Sequence, residues 1–309
     1  MPLITVIIVT YNGIDWIRDC LGSLEQSSMT ISTIVVDNAS NDGTQQLIDK
    51  DFPQIELIRL RENIGFGKAN NLGIKKAVEY GTDYILLLNQ DTKVEPDTIN
   101  ILCEAWNKNF LDQSAILSPL QTSYDSDRLD NDITFYLSKT QFPTDLAQDT
   151  VKDIYDIPFM PAACWFFAKK TWLEIGAFNP VFFCYGEDTD YVNRLKYYGG
   201  RLGLVPKAKV RHQHSHSGTT RRVFKLETEY LFSNSSQRLM NPYNQYFCLL
   251  LLRINCGYTK VFIKQFFTGK FYDAACNVIA TILVWRKILI IYSCWKKVKS
   301  KTAGLYINE

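Results

Sequence analysis

Four short apolar segments in the first 90 residues constrain the fold of this chain most strongly. Each segment is rich in Ile, Val and Leu and does not alternate with polar residues, as expected of strands buried on both faces of a parallel sheet. Stretches with helical periodicity separate them, so the pattern predicts an α/β fold with a doubly wound, mostly parallel sheet flanked by helices. The predicted strands are Leu3–Thr10, Ile31–Asp37, Ile55–Leu60 and Tyr84–Leu88, and the predicted helices are Trp16–Gln26, Gly43–Asp51 and Gly67–Tyr80.

The charge of the chain is divided unevenly along its length. Residues 1–206 carry 17 Lys and Arg against 28 Asp and Glu, whereas residues 207–309 carry 17 against 4. Carboxylates in the first part could hold a metal ion, and the basic part could face a phosphate-rich surface. Because the first part is acidic, the composition argues against nucleic acid as a partner.

The second half of the chain is less regular. We expect residues 121–157, which are polar and poorly periodic, to form a loop or a mobile flap. Helices are predicted from near Lys170 and from Gly186 to Tyr198, and two short strands, Leu202–Val205 and Lys209–His214, would close the sheet. Beyond about residue 222 the pattern is helical and increasingly apolar. The sequence therefore predicts an α/β domain over 1–221 and a basic, apolar helical region over 222–309.

Two features bear on where the protein works. None of the eight cysteines forms a CxxC pair and no signal-peptide pattern precedes Leu3, which predicts reduced thiols and a cytoplasmic location. The apolar runs Tyr246–Leu252 and Val278–Trp285 are each too short to span a bilayer. They belong either to helices packed on the α/β domain or to a surface that attaches to a membrane, because basic residues stand among aromatic ones there. These basic residues are Arg253, Lys260, Lys264, Lys270, Lys296, Lys297, Lys299 and Lys301. A homo-oligomer is left open.

Polar residues follow each of the four predicted strands, at the edge of the sheet where α/β folds bind ligands. Asp37 could accept hydrogen bonds from a ribose or a base, or it could belong to a turn. Gly65 would let the backbone approach a phosphate closely, and Lys68 is either a phosphate contact or a solvated helix lysine. The spacing around Gly65 is not that of the dinucleotide fingerprint, so a nicotinamide enzyme is not predicted.

Two groups of residues are candidates for a metal site. Asp91 ends the most apolar predicted strand, and an oxygen ligand there suits Mg²⁺ or Mn²⁺. Its alternative role is to cap a helix over 95–108. The three histidines are His212, His214 and His216, which share one face of an extended segment and could bind a metal or a diphosphate. The alternative for them is a solvated basic loop.

Glu187, Asp188 and Asp190 place three carboxylates at the predicted start of a helix. Acids favour helix N-termini electrostatically, which is one explanation for them. The other is a general base, because an acceptor hydroxyl is a poor nucleophile that needs its proton removed during attack. Neighbouring like charges can raise the pKa of a carboxyl group toward a useful range.

In their order and spacing, these segments resemble family 2 glycosyltransferases of the GT-A fold, and most of all the bacterial rhamnosyltransferase-like branch. The resemblance covers about 1–220. The matching segments are Val9-Thr10-Tyr11-Asn12, Val36-Asp37-Asn38-Ala39-Ser40, Glu62-Asn63-Ile64-Gly65-Phe66-Gly67-Lys68-Ala69-Asn70-Asn71-Leu72-Gly73, Leu87-Leu88-Asn89-Gln90-Asp91-Thr92, Gly176-Ala177-Phe178-Asn179 and Tyr185-Gly186-Glu187-Asp188-Thr189-Asp190.

The resemblance implies a donor site built from the strand ends. It places Thr10, Asn12 and Asp37 in the nucleoside pocket. Asn63, Gly65 and Asn70 would lie near the donor. The full set that we assign to donor binding is Thr10, Tyr11, Asn12, Asp37, Asn38, Asn63, Gly65, Lys68, Asn70, Asn89 and Gln90.

The resemblance also implies a metal site and a catalytic base. Asp91 would match the second acid of the family's Asp-x-Asp metal motif, whose first acid is Asn89 here. His212 would be the metal-side histidine, and Asp188 would be the base. The remaining predicted residues are Glu187 beside the base, and Trp165 and Asp190 on the acceptor side.

The implied activity is transfer of a sugar, with rhamnose favoured, from dTDP-rhamnose or a UDP-sugar to a hydroxyl of a glycan acceptor. A lipid-linked acceptor in cell-surface polysaccharide synthesis, at the inner face of the cell membrane, fits the basic tail. A single in-line displacement, with Mg²⁺ or Mn²⁺ bound, would invert the anomeric carbon. The alternatives are a UDP-hexose transferase of the same fold, a nucleotidyltransferase and a non-catalytic sugar-nucleotide-binding subunit. A nucleotidyltransferase is disfavoured because Thr10–Asp15 contains no basic residue.

Overall fold

A mixed β-sheet organises the molecule, whose computed structural model describes residues 2–110, 113–129, 131–213 and 224–308. The strands are β1 (Ile4–Thr10), β2 (Ser32–Asp37), β3 (Glu56–Arg59), β4 (Tyr84–Asn89), β5 (Thr92–Val94), β6 (Ala115–Ser123), β7 (Tyr155–Asp156), β8 (Cys164–Ala168) and β9 (Arg201–His212). In this part of the chain they lie in the order β3-β2-β1-β4-β8-β6-β9-β5, with β7 paired to β9. The first four are parallel, and β8 runs antiparallel to β4 and β6.

Helices lie between these strands and follow the last of them. They are α1 (Ile17–Glu25), α2 (Thr44–Asp51), α3 (Phe66–Glu79), α4 (Thr98–Asn109), α5 (Asn131–Leu137), α6 (Phe142–Ala147), α7 (Lys169–Ile175), α8 (Glu187–Tyr197), α9 (Phe224–Met240), α10 (Phe247–Phe267), α11 (Phe271–Arg286) and α12 (Ile288–Lys299). The predicted fold class, a mostly parallel mixed sheet with flanking helices and a helical C-terminal region, is confirmed.

Strand β1 forms the centre of the sheet and pairs in parallel with β2 on one side and β4 on the other. Its apolar side chains are buried on both faces, as the absence of alternation predicts. The register places Thr10 beside Asp37 and Val9 beside Asn89. The carboxyl ends of three parallel strands therefore meet at one edge of the sheet, together with the polar residues that follow them.

The two predicted closing strands, Leu202–Val205 and Lys209–His214, lie in the sheet as predicted, but up to His212 they form one long strand and not two. β9 runs from Arg201 to His212, and its pairing with β6 shifts register where Val205 and Lys209 take consecutive partners. The short strand β5 pairs antiparallel with the end of β9, so that Thr92 lies opposite His212. This pairing places Asp91, the residue before Thr92, beside the end of β9. His214 and His216 lie outside the described residues.

The prediction of a loop or flap over residues 121–157 is wrong. The segment contains the end of β6, the short helices α5 and α6, and β7. Phe142 and Tyr155 are buried with their rings 5.4 Å apart, and the Tyr155 hydroxyl donates to Asp145 Oδ2 at 2.8 Å. These contacts join residues distant in the segment, so a periodicity window does not detect them.

Helices α9 to α12 pack together behind α8 and bury part of their apolar surface. The residues after α12 return to the α/β region, where the backbone N–H of Ala177 donates to the carbonyl of Leu305 at 2.7 Å. Tyr306 is buried with its ring centroid 5.4 Å from the guanidinium carbon of Arg194. In the described part of the chain no single helix is long and apolar enough to cross a membrane. Only α11 and α12 together, with a bend of 63° between them, meet that criterion of length and composition.

Candidate active site

An open cleft of about 370 Å³ lies at the carboxyl edge of the parallel strands. Seven of its lining residues belong to the predicted site, namely Tyr11, Asn38, Asn63, Gly65, Asn89, Gln90 and Asp91. Its other lining residues are Val9, Phe66, Phe183, Cys184 and Leu226. The strand ends singled out from the sequence therefore do converge on one cavity.

Asp37 lies directly before the lining residue Asn38 and is fully buried. Its Oδ1 accepts hydrogen bonds from the Ser40 N–H at 2.9 Å and from Gln45 Nε2 at 2.6 Å. Its Oδ2 is also buried but accepts no hydrogen bond from any described residue. An unpaired buried carboxylate oxygen is costly, so this atom is suited to accept a hydrogen bond from a ribose or a base.

Gln90 joins the end of β4 to the end of β1. Its Oε1 accepts from the Thr10 hydroxyl at 2.6 Å and from the Tyr11 N–H at 3.0 Å. Gly13 packs so closely on this amide that a Cβ there would lie 2.2 Å from Gln90 Oε1. Thr10 is buried and holds Gln90 in place, and it does not line the cleft.

Three more predicted donor residues lie outside the cleft lining. Asn12 bridges to the loop after β2, where its N–H donates to Ser40 Oγ at 2.9 Å. Asn70 is buried on α3 and donates to the carbonyl of Phe66 at 3.0 Å. Lys68 is exposed on the same helix. Donor contact by these residues stays a prediction.

The loop after β3 approaches the segment before α8 closely. Gly65 has φ 92°, and a Cβ there would lie 2.1 Å from the carbonyl oxygen of Phe183. That carbonyl accepts the N–H of Phe66 at 3.2 Å. Only glycine permits both the left-handed backbone and this approach. Asn63 supports the turn, since its Oδ1 accepts the N–H of Gly65 at 2.9 Å.

Asp91 and His212 face each other, with Asp91 Oδ1 3.4 Å from His212 Nε2. The β5–β9 pairing brings them together, because the Gln213 N–H also donates to the Asp91 carbonyl at 3.0 Å. Asn89 Nδ2 lies 3.5 Å from the same imidazole nitrogen, and Asn89 Oδ1 is buried without a partner. Asp91 does not cap a helix, since α4 begins at Thr98 with Asp97 at its N-cap.

These groups fit a divalent cation that takes few protein ligands. Mg²⁺ and Mn²⁺ sites of nucleotide enzymes commonly use one or two protein side chains and complete the shell with phosphate oxygens and water. A carboxylate oxygen and an imidazole nitrogen are available at Asp91 and His212. The described residues contain no cluster of three or more His, Cys, Asp or Glu side chains that could hold a metal ion by themselves.

Three carboxylates begin α8, as the sequence predicts. Burial, reinforced by the charge of Asp188, raises the pKa of Glu187 to about 8. Burial also raises the pKa of Asp188, although hydrogen bonds from Thr189 oppose the shift. The Oε2 atom of Glu187 is buried and has no hydrogen-bond partner in the described part of the chain. These acids are therefore poised to hold or take a proton, a property of general bases.

Asp188 is connected to the metal side of the cleft through two backbone residues. It accepts a hydrogen bond from the backbone of Ala162, and the carbonyl of Ala163 accepts the N–H of Asn89 at 2.9 Å. Asp188 is half-buried, in contrast to the fully enclosed Asp190. A base candidate and a metal candidate thus adjoin the same edge of the sheet.

The two residues predicted on the acceptor side are both buried. Asp190 pairs with the fully buried Arg194, with Nε 2.9 Å from Oδ2, and burial raises its pKa in spite of that charge. Trp165 lies in β8, and its indole N–H donates to the carbonyl of Met160 at 3.2 Å. Neither side chain lines the cleft, so acceptor contact by either stays a prediction.

The sequence reasoning missed several lining residues. Phe183 and Cys184 stand three to four residues before Glu187, and the structure brings Phe183 beside Gly65, a contact that no sequence pattern indicates. Leu226 lies on α9, beyond the predicted boundary at 221–222, and its place at the cleft follows from tertiary packing alone. Residues 214–223, which contain that boundary, lie outside the described residues, and the boundary stays a prediction.

The family model for glycosyl transferase family 2 matches residues 5–171, which is more than half of the chain. The chain therefore belongs to family 2 of the glycosyltransferases and is a glycosyltransferase enzyme. The matched residues include the ends of β1, β2, β3 and β4, and with them Asp37 and Asp91. Asp188 and His212 follow the matched segment, so their roles depend on the geometry above.

Two relatives support the predicted resemblance. The chain is 26% identical over 248 residues to the N-acetylglucosaminyl-diphospho-decaprenol L-rhamnosyltransferase of Mycobacterium tuberculosis, a match that covers 70% of this chain and 77% of that protein. It is 33% identical over 110 residues to the dTDP-rhamnosyl transferase RfbF of Shigella flexneri, covering 34% of this chain and 36% of that protein. The prediction of a rhamnosyltransferase-like member of family 2 is confirmed.

Solved structures show the same fold. The structure of GalNAc-T7 with UDP, GalNAc and Mn²⁺ aligns with a TM-score of 0.59 at 15% identity, covering 79% of this chain and 51% of that one. The structure of residues 1–349 of TarS from S. aureus aligns with a TM-score of 0.57 at 14% identity. This alignment covers 96% of this chain and 90% of that one. The fold is thus that of the GT-A glycosyltransferases.

Proposed function

We propose that this chain is a metal-dependent, inverting glycosyltransferase. It transfers a sugar from a nucleoside diphosphate donor to a hydroxyl of a lipid-linked glycan acceptor in cell-surface polysaccharide synthesis. One observation carries the proposal: Asp91 lines the cleft and faces His212, and the backbone of Ala162 and Ala163 joins the half-buried Asp188 to Asn89 in the same lining. A direct displacement with a diphosphate leaving group requires a base and a set of metal ligands close to the same cleft.

In this mechanism Asp188 takes the proton of the acceptor hydroxyl as the oxygen attacks the anomeric carbon. The bond from that carbon to the donor diphosphate breaks on the opposite face, and the configuration inverts. Asp91 and His212 would hold the divalent cation, which supplies positive charge to the departing diphosphate. The buried Asp37 Oδ2 would fix the nucleoside by accepting a hydrogen bond.

Rhamnose is the donor sugar we favour, with dTDP-rhamnose as the donor. Two relatives whose names specify a rhamnosyl transfer match the chain, one of them over 70% of its length. The name of that longer relative also specifies an acceptor linked through a diphosphate to a polyprenol. This supports a lipid-linked acceptor here, with the catalytic unit over 1–221 and the basic region over 222–309 held at the inner face of the cell membrane.

Thermal unfolding with nucleotides tests the proposal directly. The chain is heated with UDP, dTDP, GDP, CDP or NAD, each with Mn²⁺ or with EDTA. A ligand at a hundred times its dissociation constant adds about 2.7 kcal/mol of stability, enough to raise the midpoint visibly. We expect a metal-dependent rise with dTDP that is lost in Asp91→Ala and kept in Asp188→Ala, since donor binding needs no base.

A surface acid provides the control for both variants. Asp49 is exposed and pairs with Arg59 at the surface, so Asp49→Ala should keep both the nucleotide response and the metal requirement. A rise with UDP in place of dTDP would identify a different donor within the same proposal. If no nucleoside diphosphate raises the midpoint of the unmodified chain, the transferase mechanism stated here is wrong.

A further inference from the structure

The hairpin of α10 and α11 ends in an exposed aromatic tip. The last residue of α10 buried against the body is Ile254, and none of the remaining residues of that helix is buried. At the tip, Phe266, Phe267 and Phe271 are 50%, 82% and 61% exposed. Their rings form a cluster, with Phe266 5.7 Å from Phe267 and 5.5 Å from Phe271. Exposed aromatic clusters of this kind mark interaction surfaces.

The tip lies in a strongly basic part of the chain. Residues 241–308 contain ten Lys and Arg and one acid, Asp273. Lys264 precedes the three phenylalanines, and Lys270 stands between Phe267 and Phe271. Lys260 lies one turn before Lys264, and all three lysines are exposed. A second copy of this chain would bring the same cations against one another, which is unfavourable. An anionic surface that also accepts aromatic rings is the complementary partner.

The first turn of α9 touches both the tip and the cleft. The ring of Phe224 lies 5.5 Å from that of Tyr272, which immediately follows Phe271. Two residues further along α9, Leu226 lines the cleft at the carboxyl edge of the sheet. The hairpin tip and the donor cleft therefore lie at the same end of α9.

We propose that the aromatic tip of the α10–α11 hairpin inserts into the headgroup region of an anionic bilayer and holds the cleft at the lipid surface. The proposal rests on the lipid-linked acceptor of the proposed function. Phe266, Phe267 and Phe271 supply apolar area, while Lys260, Lys264 and Lys270 contact the anionic headgroups. This arrangement is typical of interfacial helices, which lie at the surface without spanning the membrane.

Co-sedimentation of the full chain with vesicles tests the insertion. The vesicles contain phosphatidylcholine alone or equal parts of phosphatidylcholine and phosphatidylglycerol. We expect binding to the anionic vesicles and little to the neutral ones. Replacing Phe266, Phe267 and Phe271 together by serine should lower the partition coefficient roughly a thousandfold, since each of the three buried rings contributes about a factor of ten.

The control variant replaces apolar residues of similar exposure on two other helices. Phe135 and Leu146 are 57% and 55% exposed on α5 and α6, and the double variant Phe135→Ser, Leu146→Ser should bind anionic vesicles as the unmodified chain does. Replacing Lys260, Lys264 and Lys270 by glutamine should weaken binding to anionic vesicles only. Equal binding by the tip variant and the control, or no binding by the unmodified chain, would overturn the proposal.

Two further measurements distinguish this proposal from its alternatives. Size-exclusion chromatography of the chain without vesicles shows whether the tip joins two copies. A dimer that the tip variant loses, without vesicle binding, would overturn insertion in favour of self-association. The metal-dependent nucleotide response should be the same in the tip variant as in the unmodified chain. If that response is present while vesicle binding is absent, the insertion is wrong and the transferase proposal stands.

Discussion

Asp188 occupies an unusual position for a carboxylate at a helix start. Such acids are normally solvated, whereas burial here raises the pKa of Asp188 and of both neighbouring acids in α8. Arg194 compensates Asp190 directly, with an ion pair of 2.9 Å inside the protein. Within residues 2–110, 113–129, 131–213 and 224–308, no ion pair joins Glu187 or Asp188 to a cation, so these two acids are the candidates for proton transfer.

Replacing Asp188 by asparagine should abolish most of the activity and leave the fold intact. The amide keeps the shape of the side chain and can still accept a hydrogen bond, but it cannot take the acceptor proton. General base catalysis contributes about 10²–10⁴-fold, and we expect a loss of about 10³-fold in turnover. Steady-state transfer to a synthetic acceptor measures it, with Asp49→Asn as the control. Turnover within about threefold of the unmodified enzyme would exclude Asp188 as the base.

Glu187 should make the protein less stable as the pH rises. Its pKa is about 8 in the folded chain against an ordinary value of 4.5, so between these pH values the folded state binds more protons than the unfolded one. Stability therefore falls as the pH rises through this window. Replacing Glu187 by glutamine should remove on the order of 2–4 kcal/mol of that decline.

Urea unfolding at several pH values between 4.5 and 9 measures the effect of Glu187. The glutamine variant should be more stable than the unmodified chain at the alkaline end and similar to it at the acidic end. Parallel stability curves for the two proteins would mean that Glu187 is ionised in the folded chain throughout.

At the scale of residues, the sequence predicts which polar residues belong to the site, but it does not predict the apolar residues that shape the cleft. Asp37, Asp91 and Asp188 are recognisable because carboxylates follow several strand ends and begin a helix in the same chain, although each alone also has a structural explanation. Leu226 and Phe183 are apolar residues in ordinary local contexts, and only tertiary packing brings them to the cleft. No local pattern could have selected them.

Among the elements, the edge strand β3 is only partly buried, whereas β1, β2 and β4 are runs of buried apolar residues and are predicted within one residue. The segment over 121–157 fails for the opposite reason. Its helices are one or two turns long, and the buried Tyr155–Asp145 hydrogen bond that stabilises it joins residues in different elements.

The close approach of the β3–α3 loop to the segment before α8 makes Gly65 a sensitive position. Gly65→Ala should lower the free energy of unfolding by more than about 3 kcal/mol, since its φ of 92° is strained for alanine and its Cβ would overlap the Phe183 carbonyl. Gly81→Ala is the matched control, because φ there is 83° but nothing lies within 4 Å of the added carbon. Strain alone should cost about 1–2 kcal/mol.

Denaturant unfolding of the two glycine variants separates overlap from strain. The difference between their free energies of unfolding measures the cost of the overlap between the added Cβ at position 65 and the Phe183 carbonyl. Equal losses would mean that the two segments do not approach as described.

At the scale of the whole molecule, the residues after α12 are part of the α/β core. Gly176 lies so close to Leu305 that a Cβ there would be 2.1 Å from the Leu305 carbonyl oxygen. Tyr306 packs beside Arg194, the partner of the buried Asp190. The C-terminal segment thus supports the helix that carries the candidate base.

Removing the ring of Tyr306 should therefore affect both stability and activity. Tyr306→Ala leaves a cavity beside Arg194, and large-to-small changes of buried aromatic residues cost about 3–5 kcal/mol. Tyr246→Ala, at an exposed tyrosine of the same helical region, should cost less than about 1 kcal/mol. Thermal unfolding and turnover of the folded fraction measure both effects, and equal midpoints for the two variants would show that the tail does not support α8.

Asp37 Oδ2, Asn89 Oδ1 and Glu187 Oε2 are buried without hydrogen-bond partners among the residues that the structure describes, and all three belong to the candidate site. Each such atom costs about 1–3 kcal/mol until a ligand pairs with it. The empty enzyme therefore has a larger unfolded fraction than the loaded one, and cellular proteases act on that fraction. We therefore expect a ligand that pairs these atoms to slow the digestion of the enzyme by an added protease, in proportion to the fall in the unfolded fraction.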